Sequence, residues 1–169
     1  DPQASGACRA GKLLRASQLA ATREQENAEW KFFVMDETSG ELKLPKGTVG
    51  HRWQKKKGGW NLKLEDCVTG DPIKPLLELK NHADTTLPVE ITDFSDSTNQ
   101  RVLSRHVPVR KIETVNGPVF VTTVMELYFA QYGVNRGFEG EWPKSYEDDS
   151  QPFTPAWQER FTGVKGDVA

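Results

Sequence analysis

Cysteine and histidine, the residues that most often carry metal and nucleophilic chemistry, are scarce in this chain of 169 residues. Its two cysteines, Cys8 and Cys67, lie far apart with no Cys-x-x-Cys. That excludes a disulfide scaffold and a zinc or iron-sulfur motif, and fits a reducing compartment. The three histidines, His51, His82 and His106, fall in different segments without metal-ligand spacing. No apolar run approaches the roughly 18–20 residues of a membrane-spanning helix. No basic start leads into an apolar signal-peptide core, and no glycosylation sequon occurs. Neither sign of charge dominates. With 22 Lys and Arg against 24 Asp and Glu, the net charge of -2 creates no general field for a polyanion or a membrane surface. Nucleic acid is therefore not expected as a partner. No nucleophile elbow, Walker loop or His-x-x-x-His is found.

Hydrophobic residues make up 36% of the chain and its mean hydropathy is -0.63, at the polar end for a globular fold. Such a balance suits a loop-rich domain, or a piece that completes its core with neighbouring chain. The chain opens on Asp1 rather than Met and closes on GVKGDVA, and it is read as a piece of something longer.

The pattern of elements is α+β: short antiparallel strands and hairpins, a few short helices, and much loop. Residues 1–11 read as loop, 12–101 as a strand and loop region, and 102–164 as a hairpin followed by two short helices. KLLRASQLAATR, at 12–23, makes at best a short helix or turn. WKFFVM, at 30–35, is expected to be a buried strand, with 41–44 returning beside it across the DETSG turn. Further strands are expected at 48–53, 60–64, 76–79 and 87–91, and 93–100 reads as an exposed loop. In 60–64, WNLKL, strict alternation puts Trp60, Leu62 and Leu64 on one half-buried face. Asn116-Gly117 between two β-rich runs is a strong hairpin signal, with Pro118 placed where no ladder N–H is needed. Thr123 and Glu126 form a capping box for a helix carrying Val124, Leu127, Tyr128 and Phe129 and ending near Gly133. A second helix starts from the Thr154-Pro155 cap, includes Ala156, Trp157 and Phe161, and stops at Gly163.

The stretch at 44–64, LPKGTVGHRWQKKKGGWNLKL, concentrates the unusual residues. Lys55, Lys56 and Lys57 beside Trp53 and Trp60 resemble a single-strand nucleic-acid surface. The neutral overall charge favours a solvated hairpin tip flanked by core tryptophans. Within the stretch, His51 and Arg52 keep a claim to cofactor contact, because a guanidinium behind a Gly-His step can grip a phosphate or carboxylate with two bonds. Arg105, Arg110 and Arg136 are expected to serve in structural ion pairs. Glu147, Asp148 and Asp149 could bind a divalent cation, but adjacent acids on a loop are more commonly just solvated. No catalytic residue and no metal ligand is assigned.

Six stretches follow one another in a familiar order: GKLLRASQL, AEWK with FVMDE, LPKGTVGHRW, KGGWNLKLED, HVPVRKIETVNGPVFVTTVMELYFAQYGVNRG and SYEDDSQPFTPAWQERFTGV. Together they resemble the catalytic (alpha) subunit of respiratory nitrate reductases, within the dimethyl-sulfoxide-reductase superfamily of molybdopterin oxidoreductases. The resemblance runs from about residue 11 to residue 164 and implies an internal piece of a larger α/β molybdoenzyme subunit.

For the parent enzyme the resemblance implies reduction of nitrate to nitrite at molybdenum held by bis-molybdopterin guanine dinucleotide, with a 4Fe-4S cluster in the same subunit. It implies an iron-sulfur beta subunit and a membrane cytochrome subunit as partners, and a peripheral place on the cytoplasmic side of the membrane. The family's cluster-binding His/Cys motif and its molybdenum-ligating aspartate segment have no counterpart in these residues. The piece is thus expected to be structural, without the catalytic centre. His51 stands where relatives commonly carry an aromatic residue, and 81–100 does not align. A nitrite oxidoreductase running the reverse reaction, or a scaffold domain without molybdenum chemistry, remain alternatives.

Overall fold

The computed structural model describes residues 7–46, 63–92 and 101–169. The chain divides into two compact units: Asp1–Gly11, Glu78–Arg110 and Thr122–Ala169 form the first, and Lys12–Leu77 with Lys111–Val121 the second.

The second unit is built from short pieces. A 3-10 turn, Ala16–Gln18, forms within 12–23, in keeping with the short helix or turn expected there. Strands β1, Val34–Met35, and β2, Leu42–Lys43, pair antiparallel in the hairpin expected across DETSG. The ladder covers only these two residues, with Phe32 in an isolated bridge to Arg15, so WKFFVM is not a continuous strand. Trp30 sits in a turn and is 57% exposed, contrary to the expected buried strand, because an aromatic run reports apolarity but not which residues find a ladder partner. Strands β3, Pro45–Lys46, and β4, Lys63–Asp66, also pair antiparallel, with an irregular register. Leu64 is 41% exposed rather than on a buried face. The expected strands at 48–53 and at 60–62 lie outside the described residues. Ala16, Ala28 and Leu44 form the small core of this unit, with Phe33 and Cys67 packed against it.

Two carboxylates substitute for core in tying these loops. Asp66, 3% exposed, accepts bonds from the Leu44 and Val68 amides and from the Thr69 hydroxyl. Asp36 accepts from the Lys74 amide at 2.8 Å and from the Ser39 amide and hydroxyl at 2.9 Å each. The Lys74 amide first, and Ser39 after it, hold the Asp36 carboxyl below its usual range.

In the first unit, β5, Thr85–Thr92, pairs antiparallel with β6, Val102–Thr114, over eight register positions from Thr85↔Val109 to Thr92↔Val102. Alternation places Val89, Ile91, Leu103, Val107 and Val109 on one face. With Ala130 they make the main core, against which Leu87, Leu127 and Trp142 pack. Burial of each such side chain contributes about 1.5–3 kcal/mol. The expected strand at 76–79 does not form: Leu79 is buried at 1% exposure but has no ladder partner. The end of β6 enters the second unit, where β7, Gly117–Val121, returns from the turn. That turn is centred on Val115 and Asn116 rather than Asn116 and Gly117, with Thr114 Oγ1 donating to the Gly117 carbonyl at 2.6 Å.

Both helices begin and end where local chemistry directs. Thr123 caps α1, Val124–Gln131, accepting from the Glu126 amide. Thr154 caps α2, Pro155–Thr162, accepting from the Trp157 amide, and Gly163 closes it at φ 70°. That left-handed conformation suits glycine, and Pro155 at the first turn loses no bond it would have made.

Candidate functional site

His51 and Arg52, the residues with a claim to cofactor contact, lie outside the described residues, as do Trp53, Trp60 and Lys55–Lys57. The remaining candidates are placed. His82 is exposed. His106 shares a hydrogen bond with Thr86 Oγ1 at 3.2 Å and lies 3.8 Å from the Glu139 carboxylate. These are structural contacts of a strand histidine.

Arg105 is fully buried. It follows Leu103 and precedes Val107 in the inward register of β6, so alternation itself carries it into the core. Its Nε donates to the Glu141 carbonyl at 2.6 Å, and Nη1 donates to the Ala130 carbonyl at 2.6 Å and the Gln131 carbonyl at 3.3 Å. The last two are end carbonyls of α1, which have no partner inside the helix and carry its negative pole. The guanidinium also lies 5.2 Å from the Trp142 ring centroid. Burial pushes its pKa down to about 10, against the opposing attraction of Glu141. Instead of the expected ion pair, Arg105 clamps carbonyls. The chain that supplies them runs very close: His106 donates its amide to Glu139, and Glu141 donates its own to Ser104. A Cβ on Gly140, whose φ is +134°, would meet Arg105 Cα and Ser104 O at 2.7 Å each.

A second buried charge was invisible in the sequence. Glu126, the expected capping-box acid, is 0% exposed. Its Oε1 accepts from the Leu79 amide at 2.6 Å, and Oε2 pairs with Arg136 Nη2. Arg136 also reaches Glu78 at 3.2 Å and lies 4.3 Å from the Phe129 ring centroid and 5.6 Å from that of Phe138. This ion pair is the role expected for Arg136. The Leu79 contact could not be read from spacing, since Leu79 and Glu126 lie 47 residues apart.

A groove of about 400 Å³ opens between the end of α1 and the start of α2, walled by Tyr132, Val134, Pro143, Tyr146, Phe153 and Pro155. Its rings continue a ladder: Tyr128 to Tyr132 at 6.2 Å, Tyr132 to Phe153 at 5.9 Å, Phe153 to Trp157 at 5.2 Å and Trp157 to Phe161 at 4.7 Å. Phe153 adopts φ 69°, an uncommon conformation for a bulky residue. The polar groups in the wall serve the loops themselves. Asn135 Oδ1 accepts from the Gly137 amide and Ser145 Oγ from the Glu147 amide. The Ser145 hydroxyl holds the Glu147 carboxyl below its usual range. Asp148 is held low in the same way, first by the Ser150 hydroxyl and then by the Lys144 amide. The acidic run is thus partly a loop-folding device, and the groove has no positioned acid–base pair.

Among the described residues the donors do not fit a molybdopterin dinucleotide or an iron-sulfur cluster. Among the described residues no three His, Cys, Asp or Glu side chains gather as metal binding requires. Cys8 and Cys67 belong to different units, whereas cluster ligation takes four protein ligands. The groove lining contains no Arg or Lys to hold a pyrophosphate. No catalytic step is therefore assigned to these residues. Among the described residues no helix is long and apolar enough to cross a membrane.

No family model matches the chain. Individual relatives do. The nitrate reductase alpha chain of Bacillus subtilis (strain 168) is 40% identical over 161 residues, covering 95% of this chain and 13% of the relative. The respiratory nitrate reductase 1 alpha chain of Escherichia coli (strain K12) is 36% identical over 165 residues, 92% of this chain and 13% of the relative. The nitrate reductase alpha subunit of Mycobacterium tuberculosis (strain ATCC 25618 / H37Rv) is 36% identical over 167 residues, 91% and 12%. The chain spans about 13% of the length of the curated relatives it matches. With 34–40% identity to them along nearly its whole length, the chain belongs, as one part of their length, to the family of nitrate reductase alpha chains.

Proposed function

We propose that these residues form a structural part of the alpha subunit of a molybdenum-dependent respiratory nitrate reductase, which reduces nitrate to nitrite. The observation that carries this reading is 34–40% identity to nitrate reductase alpha chains along nearly the whole chain. In this reading the bis-molybdopterin guanine dinucleotide and the 4Fe-4S cluster are held by other parts of the subunit. An iron-sulfur beta subunit and a membrane cytochrome subunit complete the complex on the cytoplasmic side of the membrane. The present residues contribute a scaffold, consistent with charged groups spent on carbonyls, caps and one another. His51 and Arg52 are the residues proposed to approach a cofactor or a neighbouring segment.

The test is to express the full-length subunit with its operon partners and assay membranes for nitrite formation with a reduced viologen donor. Molybdenum and iron are measured on the purified complex. Nitrite formation with stoichiometric molybdenum is expected. Nitrite oxidation without nitrate reduction, or a molybdenum-free protein, would overturn the proposal.

A further inference from the structure

Lys31 is 3% exposed, and an ammonium has three donors to satisfy. Among the described residues its Nζ makes one polar side-chain contact, with Cys67 Sγ at 3.6 Å. No carboxylate of the described residues lies within ion-pair range of it. The nearest acid in sequence to Cys67, Asp66, is already engaged by the Leu44 and Val68 amides and the Thr69 hydroxyl, with Lys43 at 3.9 Å. A buried cation without an anion is costly, so buried charges are normally paired. Here the group that faces the Lys31 ammonium is the Cys67 sulfur.

Backbone bonds hold the two side chains together. The Lys31 amide donates to the Asn27 carbonyl at 3.1 Å, its carbonyl accepts from Ala16, and the Cys67 amide donates to Leu44 at 2.7 Å. Cys67 packs against the apolar cluster of Ala16, Ala28 and Leu44, yet the residue is only partly buried. A partly buried thiol held against a buried ammonium is a setting in which cysteines react.

We infer that Cys67 is an oxidant-sensitive thiol whose reactivity is set by Lys31, and that its natural reactant class is a small hydroperoxide. The thiolate attacks one peroxide oxygen, so that an S–O bond forms as the O–O bond breaks. Sulfur loses two electrons to the peroxide, and the departing oxygen takes up a proton as water or an alcohol. The product is a sulfenic acid, whose oxygen lies within reach of the Lys31 ammonium. Lys31 is a positioning residue in this step, not a consumed one.

Cys8 supplies an internal control. It is also free and partly buried, but among the described residues its polar contacts are backbone bonds to Pro88 and Glu90. In the full-length subunit, iodoacetamide labelling followed by peptide mass spectrometry should show Cys67 reacting about tenfold faster than Cys8 at neutral pH. After sub-millimolar hydrogen peroxide, a dimedone probe should label Cys67 and spare Cys8. Lys31→Met should slow Cys67 about tenfold without changing Cys8, and Lys31→Arg should restore part of the rate. Equal rates for the two cysteines, or no dimedone adduct at Cys67, would overturn the inference in the unmodified protein alone. An unchanged Cys67 rate in a folded Lys31→Met subunit would do the same, the Cys8 rate reporting that the fold is intact.

Discussion

Removing one partner of the Glu126–Arg136 pair should loosen α1 by an amount that can be worked from its surroundings. Glu126 is wholly buried and Arg136 has 15% of its side chain exposed, so neither charge can fall back on water. Arg136→Met would leave the buried carboxylate, among the described residues, with the Leu79 amide as its hydrogen-bond donor. Breaking a buried pair from one side costs about 3–5 kcal/mol. Expressed as local opening, that is about two to three and a half orders of magnitude in amide exchange, at about 1.4 kcal/mol per tenfold. The assay is hydrogen exchange by mass spectrometry on the full-length subunit, following peptides over 78–80 and 124–132, with a peptide over 155–162 as reference. Glu126→Gln combined with Arg136→Met should recover about 1–3 kcal/mol relative to the sum of the single variants, because the two sites are in contact. An Arg136→Met effect below tenfold, or strictly additive variants, would refute the claim that this pair is a desolvated, coupled node.

Gly140→Ala should destabilise the 139–142 segment by about 3–5 kcal/mol, combining backbone strain at positive φ with overpacking; loss of exchange protection at the His106 and Glu141 amides is the readout. Asp36 carries a pH dependence: its folded pKa lies below 3.8, so its stabilisation is present above that value and lost as pH falls through the lower folded one. Protection of the Lys74 amide, corrected for intrinsic exchange, should decline below about pH 4 and become flat with pH in Asp36→Asn.

The best-read elements were those whose signals are local. Thr154, Pro155 and Gly163 delimit α2 within ten positions of each other, and each acts through its own backbone or its immediate neighbours. The β6–β7 hairpin followed from β-rich runs around Asn116, although the turn itself shifted one residue toward Val115. Where pairing partners decide, reading failed. WKFFVM and residues 76–79 are equally apolar as strands or as anchored coil, and only the presence of a ladder neighbour separates Val34 and Met35 from Trp30 and Leu79. The aromatic groove likewise joins Tyr132 to Phe153 across an intervening loop, a meeting that no periodicity encodes.

Charge placement was the least legible feature. Arg105 could have been found: it shares the inward register of Leu103 and Val107, and β alternation alone puts it in the core. Glu126 offered only its capping-box position, which predicts an exposed acid at a helix start. Its burial depends on Leu79 arriving from distant chain and on Arg136 folding back from beyond the end of α1.

By itself the sequence determined the class of short antiparallel strands with two capped helices, and the order of motifs that joins the chain to the nitrate reductase alpha chains. Those rest on local geometry and on linear succession, which a string of residues carries in full. The tertiary structure alone decided which charges are buried, that Arg105 holds helix carbonyls, and that Lys31 meets Cys67. Such contacts depend on removing water from groups far apart in the chain, and desolvation exists only once the chain has folded around them.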